Sequence, residues 1–271
     1  MTKLQFLLPQ HLLSNLMYRL TRVKTTWFKN FLIKNFIKLY DVNMTEAANE
    51  NINSYDCFND FFIRELRKDS RKIAKKQIIS PVDGSISSYG RITDGQIFQA
   101  KGFHFSAKSL LANNKRYSDF IDGSYLTIYL SPKDYHRIHM PFDGKLIMAE
   151  YVPGDLFSVN DKTVSSIDKI FSKNERVVCY FETNFGEVVL ILVGAIFVGS
   201  MHINSIGQIT PPYKKEVKQY SFDEPIIFKK GEEFGRFNMG STVILLSPGS
   251  EFANLTMDAK DAIQMGQALS P

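Results

Sequence analysis

The sequence predicts an α+β protein in which N-terminal amphipathic helices precede a β-rich core, barrel-sandwich-like and pseudo-symmetric. Three observations carry this. Apolar residues recur at three- and four-residue spacings over residues 4–40. After residue 75 that periodicity gives way to short alternating or apolar runs broken by Gly, Pro and Asp. Within this second part, "PVDGSI" (81–86) and "PFDGKL" (141–146) repeat one Pro-x-Asp-Gly-x-aliphatic pattern. The expected organisation is a helical region over 1–75 and a β-rich domain over 76–271.

The helical part divides in two. "LLPQHLLSNLMYRL" spaces Leu8, Leu12, Leu13, Leu16, Met17 and Leu20 along one face. "WFKNFLIKNFIKLY" does the same with Trp27, Phe28, Phe31, Leu32, Phe36 and Leu39, with lysines between. Such helices can pack on the protein's own core or sink an aromatic and Leu face into a bilayer, and both can hold for different faces. In the β-rich part, "SYLTIYL" (124–130) alternates. "RVVCYFE" (176–182) and "EVVLILVG" (187–194) flank "TNFG", which reads as a hairpin. "STVILL" (241–246) reads as a buried strand.

Composition narrows the class. With 44% apolar and 23% charged residues, the 271-residue chain is globular rather than disordered. Residues 1–44 hold seven cations and one acid, a charge of +6. The whole chain is +5, so the remainder is −1 and the basic character belongs to the N-terminus. No nucleic-acid partner is expected. The longest apolar stretch, residues 188–201, is too short for a helical span of roughly 20 residues and reads as one or two buried strands. The N-terminus lacks a secretory cleavage pattern, and it has more Lys than Arg and little Ser, which counts against a mitochondrial presequence. Cys57 and Cys179 match no metal spacing and read as inert thiols in a reducing compartment.

A few residues can carry chemistry. In "SPKDYHRIHMP" (131–141), Ser131, Pro132 and Asp134 suit a helix start and Pro141 a stop. One or two helical turns would project His136 and His139 from the same side, whereas an extended strand would separate them. No metal is expected, because no third ligand stands at zinc spacing. His11, His104 and His202 read as structural. Asp83 and its twin Asp143 lie in Asp-Gly turns, which need no catalytic role. Ser241 follows Gly240, whose carbonyl is open to attack for want of a Cβ. A serine deprotonated by histidine could shift that acyl group from N to O. The ester could then eliminate to a dehydroalanine, which hydrolyses to ammonia and a pyruvoyl group. Spacing alone leaves this and a plain turn before a strand both open.

Seven segments in order resemble the phosphatidylserine decarboxylase family, the bacterial and mitochondrial pyruvoyl-dependent type. They are "FNDFFIREL" (58–66), "SPVDGSI" (80–86), "SPKDYHRIHMPFDGKL" (131–146), "YVPGDLFSVN" (151–160), "ERVVCYFET" (175–183), "LVGAIFVGS" (192–200) and "GRFNMGSTVI" (235–244). Met239 departs from the family's usual Leu, a volume-conserving exchange. The resemblance implies self-cleavage between Gly240 and Ser241, giving a large chain (1–240) and a small chain (241–271). Ser241 would become the pyruvoyl cofactor, with Asp83 and His139 activating it. His136 would serve the decarboxylation, which runs through a Schiff base with phosphatidylserine and yields phosphatidylethanolamine and CO2. Because the substrate sits in a membrane, residues 4–40 would bind an anionic lipid surface. A homodimer, peripheral on the cytoplasmic side of a bacterial cell membrane, is expected. The rival readings are a serine hydrolase using Ser241, His139 and Asp83, and a non-catalytic lipoyl-like carrier in which Lys145 would be modified.

Overall fold

The computed structural model describes residues 2–197, 200–238, 242–255 and 257–269. The predicted cleavage bond, Gly240–Ser241, therefore lies outside the described residues. A 3-10 segment (Thr2–Leu7) leads into α1 (Gln10–Leu20) and α2 (Thr26–Tyr40), followed by α3 (Phe58–Phe62). Next come β1 (Gly84–Arg91), β2 (Gln96–Ala100), β3 (Phe103–Ser106), α4 (Ala107–Leu110), β4 (Ser124–Tyr129), β5 (Arg137–His139) and β6 (Gly144–Val152). After α5 (Asp161–Val164) and α6 (Ile170–Lys173) lie β7 (Arg176–Thr183), β8 (Gly186–Val193), β9 (Met201–Ile203) and β10 (Gly207–Gln208). The chain closes with β11 (Lys218–Phe228), β12 (Glu233–Phe237), β13 (Thr242–Ser247) and β14 (Ala262–Ile263). This is the expected α+β order.

The strands form an eight-stranded sheet, β11-β6-β7-β8-β13-β4-β1-β14, a four-stranded sheet, β10-β9-β12-β5, and the β2–β3 hairpin. Alternation explains the apolar runs. Val188, Leu190 and Leu192 of β8, with Val243 and Leu245 of β13, face a core shared with Ile138, Met201, Ile203, Phe234 and Phe237 of the smaller sheet. Val189, Ile191 and Val193, with Ile244 and Leu246, face a second core built on the β2–β3 hairpin and α4 to α6. Both faces are covered, so the strand reads as a continuous hydrophobic run. Each such side chain contributes about 1.5–3 kcal/mol by leaving water. The 188–201 stretch holds the end of β8, to Val193, and the start of β9, at Met201. The β7–β8 hairpin turns at Asn184–Phe185, with Thr183 opposite Gly186 at φ 108°.

One local expectation fails. Residues 131–136 form a turn, not helical turns, and β5 follows. The Asp134 carboxylate accepts from Ser131 N (2.6 Å) and Oγ (2.8 Å), so the residue expected in a first helical turn folds back on the expected cap. Sheet pairing then holds the chain extended: Phe237 N donates to His136 O and His139 N to Pro81 O. Tertiary hydrogen bonds outweigh the local signals here.

Helix α1 reverses the usual arrangement. Its buried residues are Gln10 and Ser14, which accept from Leu156 N (2.6 Å) and Phe197 N (3.0 Å). Leu12 is 67% and Leu16 56% exposed, and on α2 Trp27 is 72% exposed. α2 meets α3 through Ile33, Phe58, Phe61 and Phe62. Among the described residues no helix is long and apolar enough to cross a membrane.

Candidate active site

The two Pro-x-Asp-Gly turns each launch a strand at their glycine, β1 and β6. They are bonded to one another reciprocally: Ile79 N donates to Pro141 O (2.9 Å) and His139 N to Pro81 O (2.8 Å). This local pseudo-two-fold carries β5 and His139 to the Asp83 turn. Gly84 is required there, since a Cβ on it would lie 2.3 Å from Tyr129 O.

Asp83 is buried. Its carboxylate takes Met265 N at 2.8 Å and Arg71 Nε at 3.0 and 3.2 Å, with Arg71 Nη2 closing the fork. Arg71 also donates to Glu46 (2.7 Å). Asp83 and His139 share no hydrogen bond among the described residues, although the Asp83 charge acts on the His139 ring. Neither Arg71 nor Glu46 stands in a motif, so no local signal could have pointed to them.

The histidines occupy different settings. His139 Nδ1–H donates to Gly231 O (2.8 Å), which leaves Nε2 as the acceptor of the Tyr135 hydroxyl (3.0 Å). Burial, with the Arg137 charge, holds His139 below its usual pKa. Tyr135 stands four residues before His139, and no motif or spacing marks it as a partner of the ring. His136 is fully buried against the Phe62 ring, with centroids 4.2 Å apart. Its Nδ1–H donates to Asp134 O (2.7 Å), and Nε2 finds no partner among the described residues. Burial lowers its pKa to about 3, so it is a neutral imidazole with a bare Nε2.

The register relates these groups to the start of β13. Ser85 and Thr242 both lie opposite Tyr129 on β4, so the Asp83–Gly84 turn and the start of β13 open at the same end of the sheet. Two strand spacings separate them, about 10 Å. On the other side, Phe237 N donates to His136 O. Asn238 is clamped by Ser200, through Asn238 N to Ser200 O (3.0 Å) and Nδ2 to Ser200 Oγ (2.6 Å). His139 lies opposite Glu233, at the far end of β12, so of the two histidines His136 adjoins the end of β12 that runs into residues 239–241. Thr242 Oγ1 is buried and, like His136 Nε2, without a partner among the described residues. His11 stacks edge-on against Tyr213 and His104 against Phe98, away from this cluster. Both cysteines are free and buried. Lys145 is paired with Glu182 (3.2 Å).

Comparison with known proteins gives the family. A family model described as phosphatidylserine decarboxylase matches residues 58–270, and a second, described as PSD, matches residues 2–41. Relatives named phosphatidylserine decarboxylase proenzyme align over nearly the full length. The one from Methylobacillus flagellatus is 46% identical, covering 99% of this chain and 97% of its own. That from Dechloromonas aromatica is 46% identical over 98% and 95%, and that from Francisella philomiragia 44% over 98% and 96%.

Proposed function

The chain belongs to the phosphatidylserine decarboxylase family, and on that premise we propose that it matures by cutting itself between Gly240 and Ser241. As a phosphatidylserine decarboxylase it converts phosphatidylserine to phosphatidylethanolamine and CO2. In the proposed maturation, the Ser241 hydroxyl attacks the Gly240 carbonyl and gives its proton to His139 Nε2. That ring nitrogen is unprotonated because Nδ1–H is spent on Gly231 O, and it takes the serine proton in place of the hydrogen bond from the Tyr135 hydroxyl. The Asp83 charge favours the imidazolium that forms. The peptide bond becomes an ester, which eliminates. Water then releases ammonia and leaves a pyruvoyl group on the small chain. The observation that carries this reading is that the Asp83 turn and the start of β13 open at the same end of the larger sheet, while β5 of the smaller sheet is bonded to the Asp83 turn through His139 N and Pro81 O.

The residues fit a pyruvoyl group, because His136 Nε2 and Thr242 Oγ1 are buried polar atoms that lack partners among the described residues. When formed, the group supplies a carbonyl that condenses with the head-group amine and takes up the electrons left by CO2. The unpartnered Nε2 of His136 is the candidate to hand a proton to the substrate carbon once CO2 has gone. The buried setting beside Phe62 favours loss of a carboxylate stripped of its hydration. The small chain stays in place after cleavage, since β13 is paired on both sides, with β4 and β8, and is buried along its length.

The Leu face of α1 and Trp27 of α2 support a peripheral contact with anionic lipid on the cytoplasmic side of a bacterial membrane. Replacing Leu12 and Leu16 together by Ser should weaken sedimentation with anionic vesicles yet leave self-cleavage intact. A homodimer is part of the same proposal, read by sedimentation velocity. The decisive experiment for maturation is an intact-mass spectrum. It should show chains 1–240 and 241–271, the second lighter at its first residue than serine requires. Unmutated protein that stays one chain while releasing CO2 from phosphatidylserine would overturn the reading.

A further inference from the structure

Two buried arginines differ in a way that points to a ligand. Arg176, 2% exposed, is fully engaged: Nε donates to Leu110 O, Nη1 to Ser172 O and Asn174 O, and Nη2 to Ser109 O, all at 2.7–2.9 Å. Arg64, 5% exposed, has one acceptor, Lys133 O at 3.0 Å from Nη2. Its Nε and Nη1 are sealed from water and hold no partner among the described residues. The carboxylates nearest it are engaged elsewhere, Asp83 and Glu46 with Arg71 and Asp134 with Ser131. A buried cation with open donors is costly unless an acceptor arrives. No described residue supplies that acceptor to Nε and Nη1, so a ligand must.

The position names the ligand class. Arg64 follows α3, whose Phe62 ring lies on His136, and the Arg64 charge is felt at His136. On the assignment of His136 to the decarboxylation, an oxyanion of the substrate is the group that comes to this place. We propose that Arg64 binds the head-group phosphodiester of phosphatidylserine. The phosphodiester is favoured over the carboxylate for a physical reason. Gripping the carboxylate that must leave would stabilise the ground state and raise the barrier, whereas the phosphodiester keeps its charge throughout. Arginine suits such an oxyanion because its donors are fixed and its charge is permanent.

The test uses the processed enzyme with dispersed short-chain phosphatidylserine. Arg64→Gln should still mature to two chains and raise KM about tenfold or more, with a smaller change in kcat. An unchanged KM, or a loss confined to kcat, overturns the proposal. Independently of any variant, inorganic phosphate should compete with substrate for the wild-type enzyme while acetate at equal ionic strength does not. Acetate competing in place of phosphate, or neither competing, also overturns it, and this arm decides if Arg64→Gln fails to mature. Wild-type protein that makes no CO2 would instead sink the functional reading on which the proposal rests.

Discussion

The turns at Asp83 and Asp143 share a sequence pattern, launch strands at the same glycine, and hydrogen-bond to each other as a pair. Their carboxylates meet opposite fates. Asp83 is buried and held by Arg71 and Met265 N, within electrostatic reach of His139. Asp143 has a side chain 66% exposed, takes Lys230 N at 2.8 Å, and faces Lys229 at 3.8 Å across open water. A Cβ on Gly84 would strike Tyr129 O at 2.3 Å, but one on Gly144 meets nothing closer than 3.4 Å. One turn formula thus yields an enclosed turn at the candidate site and a solvent-facing one. The selection comes from what each turn is packed against.

Exchanging residues between the twins breaks or sharpens this contrast. The largest effect is expected for Asp83→Asn. Self-cleavage, followed as the appearance of the 241–271 chain, should slow by about 100-fold or more. Asp143→Asn should cleave at the wild-type rate, and equal slowing of both would erase the distinction. Next comes Arg71→Gln, which leaves the Asp83 carboxylate buried without its ion pair and should cost about 3 kcal/mol in urea unfolding of the unprocessed chain. Gly84→Ala should follow at about 2 kcal/mol, since backbone must move to admit the methyl group, while Gly144→Ala stays within about 0.5 kcal/mol. The mildest expectation concerns pH. Burial and the Arg137 charge lower the His139 pKa, so its base form persists to lower pH than for an ordinary histidine. Self-cleavage should hold steady down through about pH 6.5 and fall only below it. Asp143 is not among the groups acting on His139, so Asp143→Asn should leave that profile in place. A half-rate point above pH 7 would contradict the burial of His139.

Much of the fold was legible locally. The spacing of Leu12, Leu16 and Leu20 marked α1, the "TNFG" turn marked the β7–β8 hairpin, and the apolar run at 188–193 marked a strand covered on both faces. The Pro-x-Asp-Gly echo was visible too, as was the family to which seven ordered segments point. The Ser131–Pro141 stretch was misread because good capping residues promised a helix, while the hydrogen bonds that decided its shape come from Pro81 and Phe237, distant in sequence. The direction of α1 was equally hidden. Periodicity marks an apolar stripe but not whether the stripe faces inward, and here Gln10 and Ser14 turn toward the body.

By itself, then, the sequence determined element types, the β-rich core, the family and the residue kinds that could do chemistry. Those properties depend on neighbours within a few positions or on ordered motifs. Only the tertiary structure decided that Asp83 rather than Asp143 is enclosed, that Arg71 and Tyr135 hold the catalytic candidates, and that Arg64 is buried with open donors. Burial and charge pairing are sums over residues far apart along the chain, and no local pattern encodes them.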